Sequence, residues 1–380
     1  MTHKRQIDLR RTSGRSRRLV AALVTIVLAV GVSVAQNWMR TVGASPESKT
    51  PDPTVRPQAR SAGASAQHSR LQSHACGDGR TMTIHFYDVA QGLAALVVLP
   101  DGRSILVDTG DSPRRSGCGD TCMAADRHLI DALRTDLGGA PISLVWITHQ
   151  HSDHIGGAPE VLETFHVERY VDNGRDALKA EVLRAHRTAE KRGTVIQVVD
   201  PAHTAVPIAN GPDVTLTAVA PPSWPAGCSS DPNECSIGLR IDFCTSSVLF
   251  TGDAEHGEEA TVDSGGPVTL LQVAHHGSET STTPGFLARV QPRYAVISAG
   301  KPDEGMNREY CHPRALIVRR LSRVLGGDVS MSLTAFDGDR CDRATAADWV
   351  SVSASDRLWA TERDGDVVLT TSGDGVFTRQ

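Results

Sequence analysis

Thr148-His149-Gln150-His151-Ser152-Asp153-His154-Ile155-Gly156-Gly157 decides how the rest of this chain is read. Three histidines and one carboxylate stand within six positions, behind an apolar run, Ile142 to Ile147, whose one polar residue is Ser143. A buried strand therefore delivers the cluster at its carboxyl end, and the Gly-Gly pair turns the chain away. Four such side chains cannot be packed this densely unless each polar nitrogen and oxygen finds a partner. A divalent metal supplies that partner, because imidazole and carboxylate suit zinc, manganese or iron.

Other ligand-type residues stand at strand ends in the same way. Ser104 to Val107 reads as a strand ending in Asp108-Thr109-Gly110. Ser247 to Phe250 ends in Thr251-Gly252-Asp253, and Thr269 to Ala274 ends in His275-His276-Gly277-Ser278. Strand carboxyl ends in α/β architectures gather along one sheet edge, where sites form. On this reading His149 and His151 face one ion, Asp153 and His154 face a second, and Asp253 arrives from a distant strand to bridge them. A pair of ions so held clamps the oxygens of a displaced group.

The elements around these ends follow from periodicity. Thr81 to Asp88 alternates as a strand, with Met82, Ile84 and Phe86 on one face, and Leu93 to Leu99 follows it. Pro100-Asp101-Gly102 is hairpin chemistry. The spacing predicts helices over Ala124 to Leu137, with Leu129, Ile130, Leu133 and Leu137 inward, Ala177 to Arg192 and Ala315 to Val324. Hairpins followed by alternating helices and strands, twice over, predict two stacked sheets with helices outside.

Charge is unevenly spread over the 380 residues, whose formal net charge is -5. Residues 1–79 hold 12 Lys+Arg and 4 Asp+Glu; residues 80–380 hold 27 and 40, a net of -13. So acidic a domain weakens any reading built on non-specific attraction to nucleic acid. Seven Lys/Arg fall in the first 18 residues, and Leu19 to Ala35 is then apolar or small apart from Thr25 and Ser33. Residues 1–36 thus read as an export signal with Ser33-Val34-Ala35 as its cleavage site, or as a retained anchor contacting the membrane. Residues 37–79, rich in Pro, Ser and Ala, read as a disordered linker, and residues 80–380 as the folded domain. The expected destination is extracellular or the cell envelope. Eight cysteines in an oxidising compartment predict disulfides, first of all Cys118 with Cys122 and Cys228 with Cys235, which close short loops.

His149-x-His151-x-Asp153-His154 resembles the signature of the metallo-β-lactamase superfamily. Phe86-Tyr87-Asp88-Val89-Ala90-Gln91-Gly92, Leu106 to Gly110, Leu249 to Glu255 and Val273 to Ser278 are similar to the hydrolase domain of ComEC-type DNA-uptake (competence) proteins and its stand-alone relatives. Ile297-Ser298-Ala299-Gly300, His312-Pro313 and a hairpin at Thr361-Glu362-Arg363-Asp364-Gly365 fit the same pattern, so the resemblance covers residues 80–380. It implies an α/β fold, the metallo-β-lactamase-type αββα sandwich of two mixed sheets with outer helices. It also implies two divalent ions, zinc before manganese. One sits at His149 and His151, the other at Asp153 and His154, with Asp253 as bridge and His275, His276 or both completing the set. Asp153, Asp253 and His276 are the expected catalytic residues. Asp108 would orient the cluster, and Ser278 and His312 would support it from outside. This chain departs from the pattern at Ala90, where relatives often have a turn glycine that looks dispensable here, and at Cys235, where they often have Asn. The further histidine that many members place between the first cluster and the bridging Asp has no match beyond His166, His186 or His203.

The expected function is that of an exported binuclear-metal hydrolase. Phosphodiester hydrolysis through a metal-bridging hydroxide is the preferred reaction, with DNA the leading substrate and no obligate protein partner evident. Hydrolysis of an ester, lactone, β-lactam or phosphocholine-bearing surface polymer is the first alternative. A non-catalytic envelope binding protein that retains the metal scaffold is the second.

Overall fold

A computed structural model of the protein describes residues 79–211 and 213–380. The expected signal, anchor and linker up to residue 78, with Cys76, lie outside the described residues. In chain order the strands are β1 (Met82–Phe86), β2 (Ala95–Val98), β3 (Ser104–Val107), β4 (Leu144–Trp146), β5 (Arg169–Asp172), β6 (Val195–Val198), β7 (Val214–Val219), β8 (Gly238–Phe243), β9 (Ser246–Phe250), β10 (Leu270–Gln272), β11 (Tyr294–Ile297), β12 (Met331–Phe336), β13 (Trp349–Ala354), β14 (Leu358–Ala360), β15 (Val367–Thr371) and β16 (Thr378–Arg379). They form an eight-stranded sheet, β16-β15-β1-β2-β3-β4-β5-β6, a six-stranded sheet, β14-β11-β10-β9-β8-β7, and the separate ribbon β12-β13. The helices are α1 (Asp120–Leu137), α2 (Ser152–Ile155), α3 (Ala158–Thr164), α4 (Ala180–Arg192), α5 (His256–Glu259), α6 (Pro284–Val290), α7 (Asn307–Tyr310), α8 (Ala315–Leu325) and α9 (Thr361–Asp364). Among the described residues no helix is long and apolar enough to cross a membrane.

The alternation within each strand sorts side chains into three layers. Ile84, Phe86, Ile105, Val107 and Trp146 of the first sheet meet Leu239, Ile241, Val248 and Phe250 of the second in one central cluster. The Phe86 and Phe250 rings lie 5.8 Å apart across it, and Trp146 Nε1 donates to the Ile237 carbonyl at 2.9 Å. The opposite side chains of the first sheet, Leu96, Leu106, Val145 and Tyr170, pack under α1, α3 and α4. Leu249, Leu271, Ala295 and Ile297 of the second sheet pack under α6 and α8. Helix, sheet, sheet and helix therefore follow one another, as the αββα expectation requires.

Both sheets are mixed. β3, β4, β5 and β6 run parallel, and so do β9, β10, β11 and β14. Parallel pairing puts the carboxyl ends of β3 and β4 side by side in one sheet, and those of β9, β10 and β11 in the other.

Two local expectations need correction. Helix α1 begins at Asp120 rather than Ala124: the Cys118–Cys122 disulfide draws the loop into the first turn, where Asp120 faces the positive end of the helix dipole. The Thr361 to Gly365 segment is not a hairpin but the single helical turn α9. It leads from β14 in one sheet to β15 in the other, with Gly365 N bonded to the Thr361 carbonyl at 3.0 Å and Asp364 accepting from Ala360 N at 2.9 Å. Ala90 makes the turn without a glycine, holding φ at 58°, a left-handed conformation that costs a Cβ-bearing residue roughly 1–2 kcal/mol. Disulfides join Cys118 to Cys122, Cys228 to Cys235 and Cys311 to Cys341.

Candidate metal centre

The facing carboxyl ends of the two sheets bring together the residues that the sequence spreads over more than a hundred positions. After β4, Thr148 and His149 cross toward the second sheet, and the turn α2 presents Asp153 and His154. After β9, Gly252 carries the chain to Asp253. A Cβ at Gly252 would lie 2.5 Å from Thr148 Oγ1, so only glycine lets the two strand ends approach this closely. After β10, His275 and His276 take φ values of 50° and 53°, consecutive left-handed residues that turn two adjacent imidazoles to different partners. Asp108 holds a φ of 55° at the end of β3. Strain of this kind collects where surrounding structure dictates a side chain's aim.

Asp153, His154, Asp253 and His276 each offer a ligand atom, all within 4.8 Å of one another, and all four residues are buried. His154 Nε2 lies 3.2 Å from His276 Nε2 and 3.1 Å from Asp253 Oδ1. His276 Nε2 lies 3.4 Å from one oxygen each of Asp153 and Asp253. Ligands bound to a tetrahedral ion at roughly 2.0–2.1 Å stand about 3.4 Å from each other, so these edges fit one divalent ion. The tautomers fit as well. Asp108 Oδ2 accepts from His154 Nδ1 at 2.7 Å, and the Ser298 carbonyl accepts from His276 Nδ1 at 2.7 Å. Both Nε2 lone pairs are thereby aimed at the same point, where only a cation or a proton relieves them. Asp253 Oδ1 is buried and accepts no hydrogen bond.

Electrostatics within the protein describe the same need. Burial opposes charge on His154 and His276, yet Asp253, with Asp108 beside the first and Asp153 beside the second, outweighs it. His154 rises well above the ordinary imidazole range and His276 is pushed up to about 10. Burial likewise works to raise Asp153 and Asp253, but the neighbouring imidazoles hold both below the usual carboxylate range. The pocket is built to hold positive charge between two carboxylates.

His149 and His151 stand next to this cluster. His149 Nε2 is 3.1 Å from His151 Nδ1 and 4.0 Å from Asp253 Oδ2. Burial drives both imidazoles toward the neutral form in which they can ligate. Asp108 bonds Thr148 twice, at N and Oγ1, each at 2.8 Å, besides holding His154. His275 separates from its neighbour: its Nδ1 is 3.1 Å from Glu255 Oε1 and 3.0 Å from Thr280 Oγ1, and its Nε2 is 3.9 Å from Asp253. Ser278 reaches none of the imidazoles; its hydroxyl lies 3.1 Å from that of Thr280, which in turn meets His275. His312 is 3.4 Å from Gln91 Nε2, with its ring 5.3 Å from that of His275. Of the three histidines considered for a further ligand, His186 bonds Asp172 at 2.6 Å, His203 pairs with Asp200 on an exposed turn, and His166 is exposed.

A cavity of about 350 Å³ opens over the cluster, lined among others by Gln91, Arg115, Lys179, Asn233, Tyr310 and His312. Arg115 and Asn233 were not legible in the sequence. Arg115 donates to Asp111 at 3.0 Å and to Tyr310, and stands 4.0 Å from Asp153. Its neighbour Arg114 points to solvent, and nothing in Arg114-Arg115 tells them apart. Asn233 sits 2.7 Å from His151 Nδ1. Its one sequence signal is its place just before Cys235-Ser236 and β8.

Residues 87–301 match the metallo-beta-lactamase superfamily. The chain is 30% identical over 226 residues to Recombination protein 2 of Haemophilus influenzae, covering 58% of this chain and 24% of that protein. It is 29% identical over 260 residues to ComE operon protein 3 of Bacillus subtilis, covering 63% and 30%. It thus spans less than a third of the length of either relative. A solved structure, a putative metal-dependent hydrolase from Parabacteroides distasonis, aligns over 57% of this chain and 80% of its own at 16% identity, with a TM-score of 0.35. The matched residues run from the end of β1 through both sheets' strand ends, Asp108 to Ser298, and on these grounds the chain belongs to the metallo-β-lactamase superfamily.

Proposed function

We propose that this chain is an exported phosphodiesterase that works with two divalent ions, zinc before manganese, and that DNA is its leading substrate. The observation that carries this reading is the position of Asp253. One of its oxygens lies 3.1 Å from His154 Nε2, and the other lies 3.4 Å from His276 Nε2 and 4.0 Å from His149 Nε2. A single buried carboxylate so placed serves two pockets. When bound, the ions lower the pKa of a water and neutralise phosphoryl oxygens.

The chain's own residues do the rest. Asp108 and the Ser298 carbonyl keep protons on the Nδ1 atoms of His154 and His276, so that neither ring turns. Arg115, braced by Asp111 and Tyr310, holds a fixed positive charge on the cavity wall for an anionic substrate. His275 faces the cavity with Nε2 while Glu255 accepts at Nδ1, and it is the group we assign to exchange a proton with the leaving oxygen. The family resemblance had implied His276 among the catalytic residues. Enclosure of His276 among Asp153, Asp253 and His154 makes it a ligand instead.

The name Recombination protein 2 supports DNA, and the three disulfides among the described residues support an oxidising compartment. The net charge of -13 over residues 80–380 favours a second reading, a short or wall-associated phosphodiester. The test loads the purified protein with zinc or manganese and assays bis-p-nitrophenyl phosphate, plasmid DNA and nitrocefin in parallel. Cleavage of bis-p-nitrophenyl phosphate and DNA, lost in Asp253→Ala and His149→Ala proteins, is expected. Cleavage of the small diester alone favours the second reading. Turnover of nitrocefin alone, or of nothing, overturns both.

A further inference from the structure

The pocket at His149 and His151 has two imidazoles, and none of His166, His186 and His203 reaches it, while His275 turns its Nδ1 to Glu255 and Thr280. Resting on the two-ion reading, we propose that the side-chain oxygen of Asn233 is its missing ligand, and that this makes it the weaker and more exchangeable of the two metal sites.

The geometry places Asn233 where such a ligand must stand. His149 Nε2 and His151 Nδ1 are 3.1 Å apart, and Asn233 Oδ1 is 2.7 Å from His151 Nδ1. These are spacings expected between atoms sharing one ion. The amide has one sensible orientation. Its Nδ2 faces Glu255 Oε1 at 3.4 Å and His275 Nε2 at 3.3 Å, both acceptors, so the oxygen is the end turned toward His151. Asn233 is 5% exposed.

Its backbone is equally committed. The residue lies in a tight turn, Pro232–Cys235, whose cap Asp231 accepts from Asn233 N at 3.0 Å. The Cys228–Cys235 disulfide closes the loop, and the Cys235 carbonyl accepts from Asn173 Nδ2 at 2.6 Å. A site presented this way is built in advance, and its ligand pays little ordering entropy on binding. A neutral amide oxygen donates less strongly than imidazole and suits harder ions, so this pocket favours manganese over zinc relative to a three-histidine pocket. The neighbouring pocket combines two carboxylates with two imidazoles and carries the higher affinity.

Titration calorimetry of Mn²⁺ and Zn²⁺ into the metal-free full chain reads both sites without any substrate. Wild type is expected to bind two ions with unequal affinity. Asn233→Ala should weaken the weaker site by at least about tenfold and leave the tighter one alone. Asn233→Asp, which keeps the shape and adds charge, should tighten the weaker site, and Asn233→His should shift its preference toward Zn²⁺. Two ions in wild type with both affinities unchanged within about twofold in Asn233→Ala and Asn233→Asp overturn this inference and leave the two-ion reading standing. One ion or none in wild type overturns both. If Asn233→Ala does not fold, the Asp and His variants decide.

Discussion

Asp108→Asn is the sharpest probe of how the site is held. The side chain is fully buried, and its two oxygens accept three hydrogen bonds of 2.7–2.8 Å, from Thr148 N, Thr148 Oγ1 and His154 Nδ1. Asparagine has the same shape but only one acceptor atom. If its NH₂ takes the Oδ1 position, it meets the Thr148 N–H head on, and that buried donor loses its partner at a cost of roughly 1–3 kcal/mol. If the NH₂ takes the Oδ2 position, the Thr148 hydroxyl can rotate, but His154 must give up the proton on Nδ1. That proton then sits on Nε2, the atom facing Asp253 and His276. Either way His154 loses the carboxylate that fixes its ring. Loss of such an outer partner lowers metal affinity by about 10–100-fold. Calorimetric metal titration and urea unfolding of the metal-free protein should therefore report a weaker tight site and a stability loss of about 1–3 kcal/mol. Affinity within about twofold of wild type, together with unchanged stability, would refute the argument that Asp108 sets the His154 tautomer.

Three further outcomes follow from other parts of the molecule. Burial pushes the Glu362 carboxyl up from 4.5 to about 7, so the folded state favours its protonated form; stability is whole below about pH 4.5 and falls as pH rises through 7. Glu362→Gln should match wild type at pH 4 and exceed it at pH 8 by up to about 3 kcal/mol in urea unfolding, and identical curves at both pH values would contradict this. Trp146→Phe removes the bond to the Ile237 carbonyl and leaves space in the central layer; it should cost about 2–4 kcal/mol while metal stoichiometry stays the same. Stripping metal with EDTA should lower thermal stability, and zinc or manganese at about 100 times its dissociation constant should restore roughly 2.7 kcal/mol; scanning calorimetry with no response to either would count against a bound ion.

Much of this molecule is written locally. The apolar run before Thr148, the glycines after Ile155, and the carboxylate or imidazole ending each of four strands could be recognised one segment at a time, because strand and turn chemistry act over a few residues. The errors also have local causes. The Thr361 to Gly365 segment carries turn residues that suit a hairpin or a helical turn equally, and only the assignment of its flanking strands to different sheets distinguishes them. The early start of α1 depends on a disulfide formed across its first turn.

Residue type and strand-end position, both properties of short segments, were enough to name the superfamily and the layered sheets, and to single out His149, His151, Asp153, His154 and Asp253, which the fold brings to one place. What they could not divide is the pair His275 and His276, identical in type and adjacent in sequence. The fold sends one to Glu255 at the rim and the other to the Ser298 carbonyl in the interior. Nor could they pick Arg115 over Arg114, or find Asn233 opposite His151. Those assignments depend on which loop lies across the cavity from which. Long-range packing of two sheets against each other settles that, and no short stretch of the chain encodes it alone.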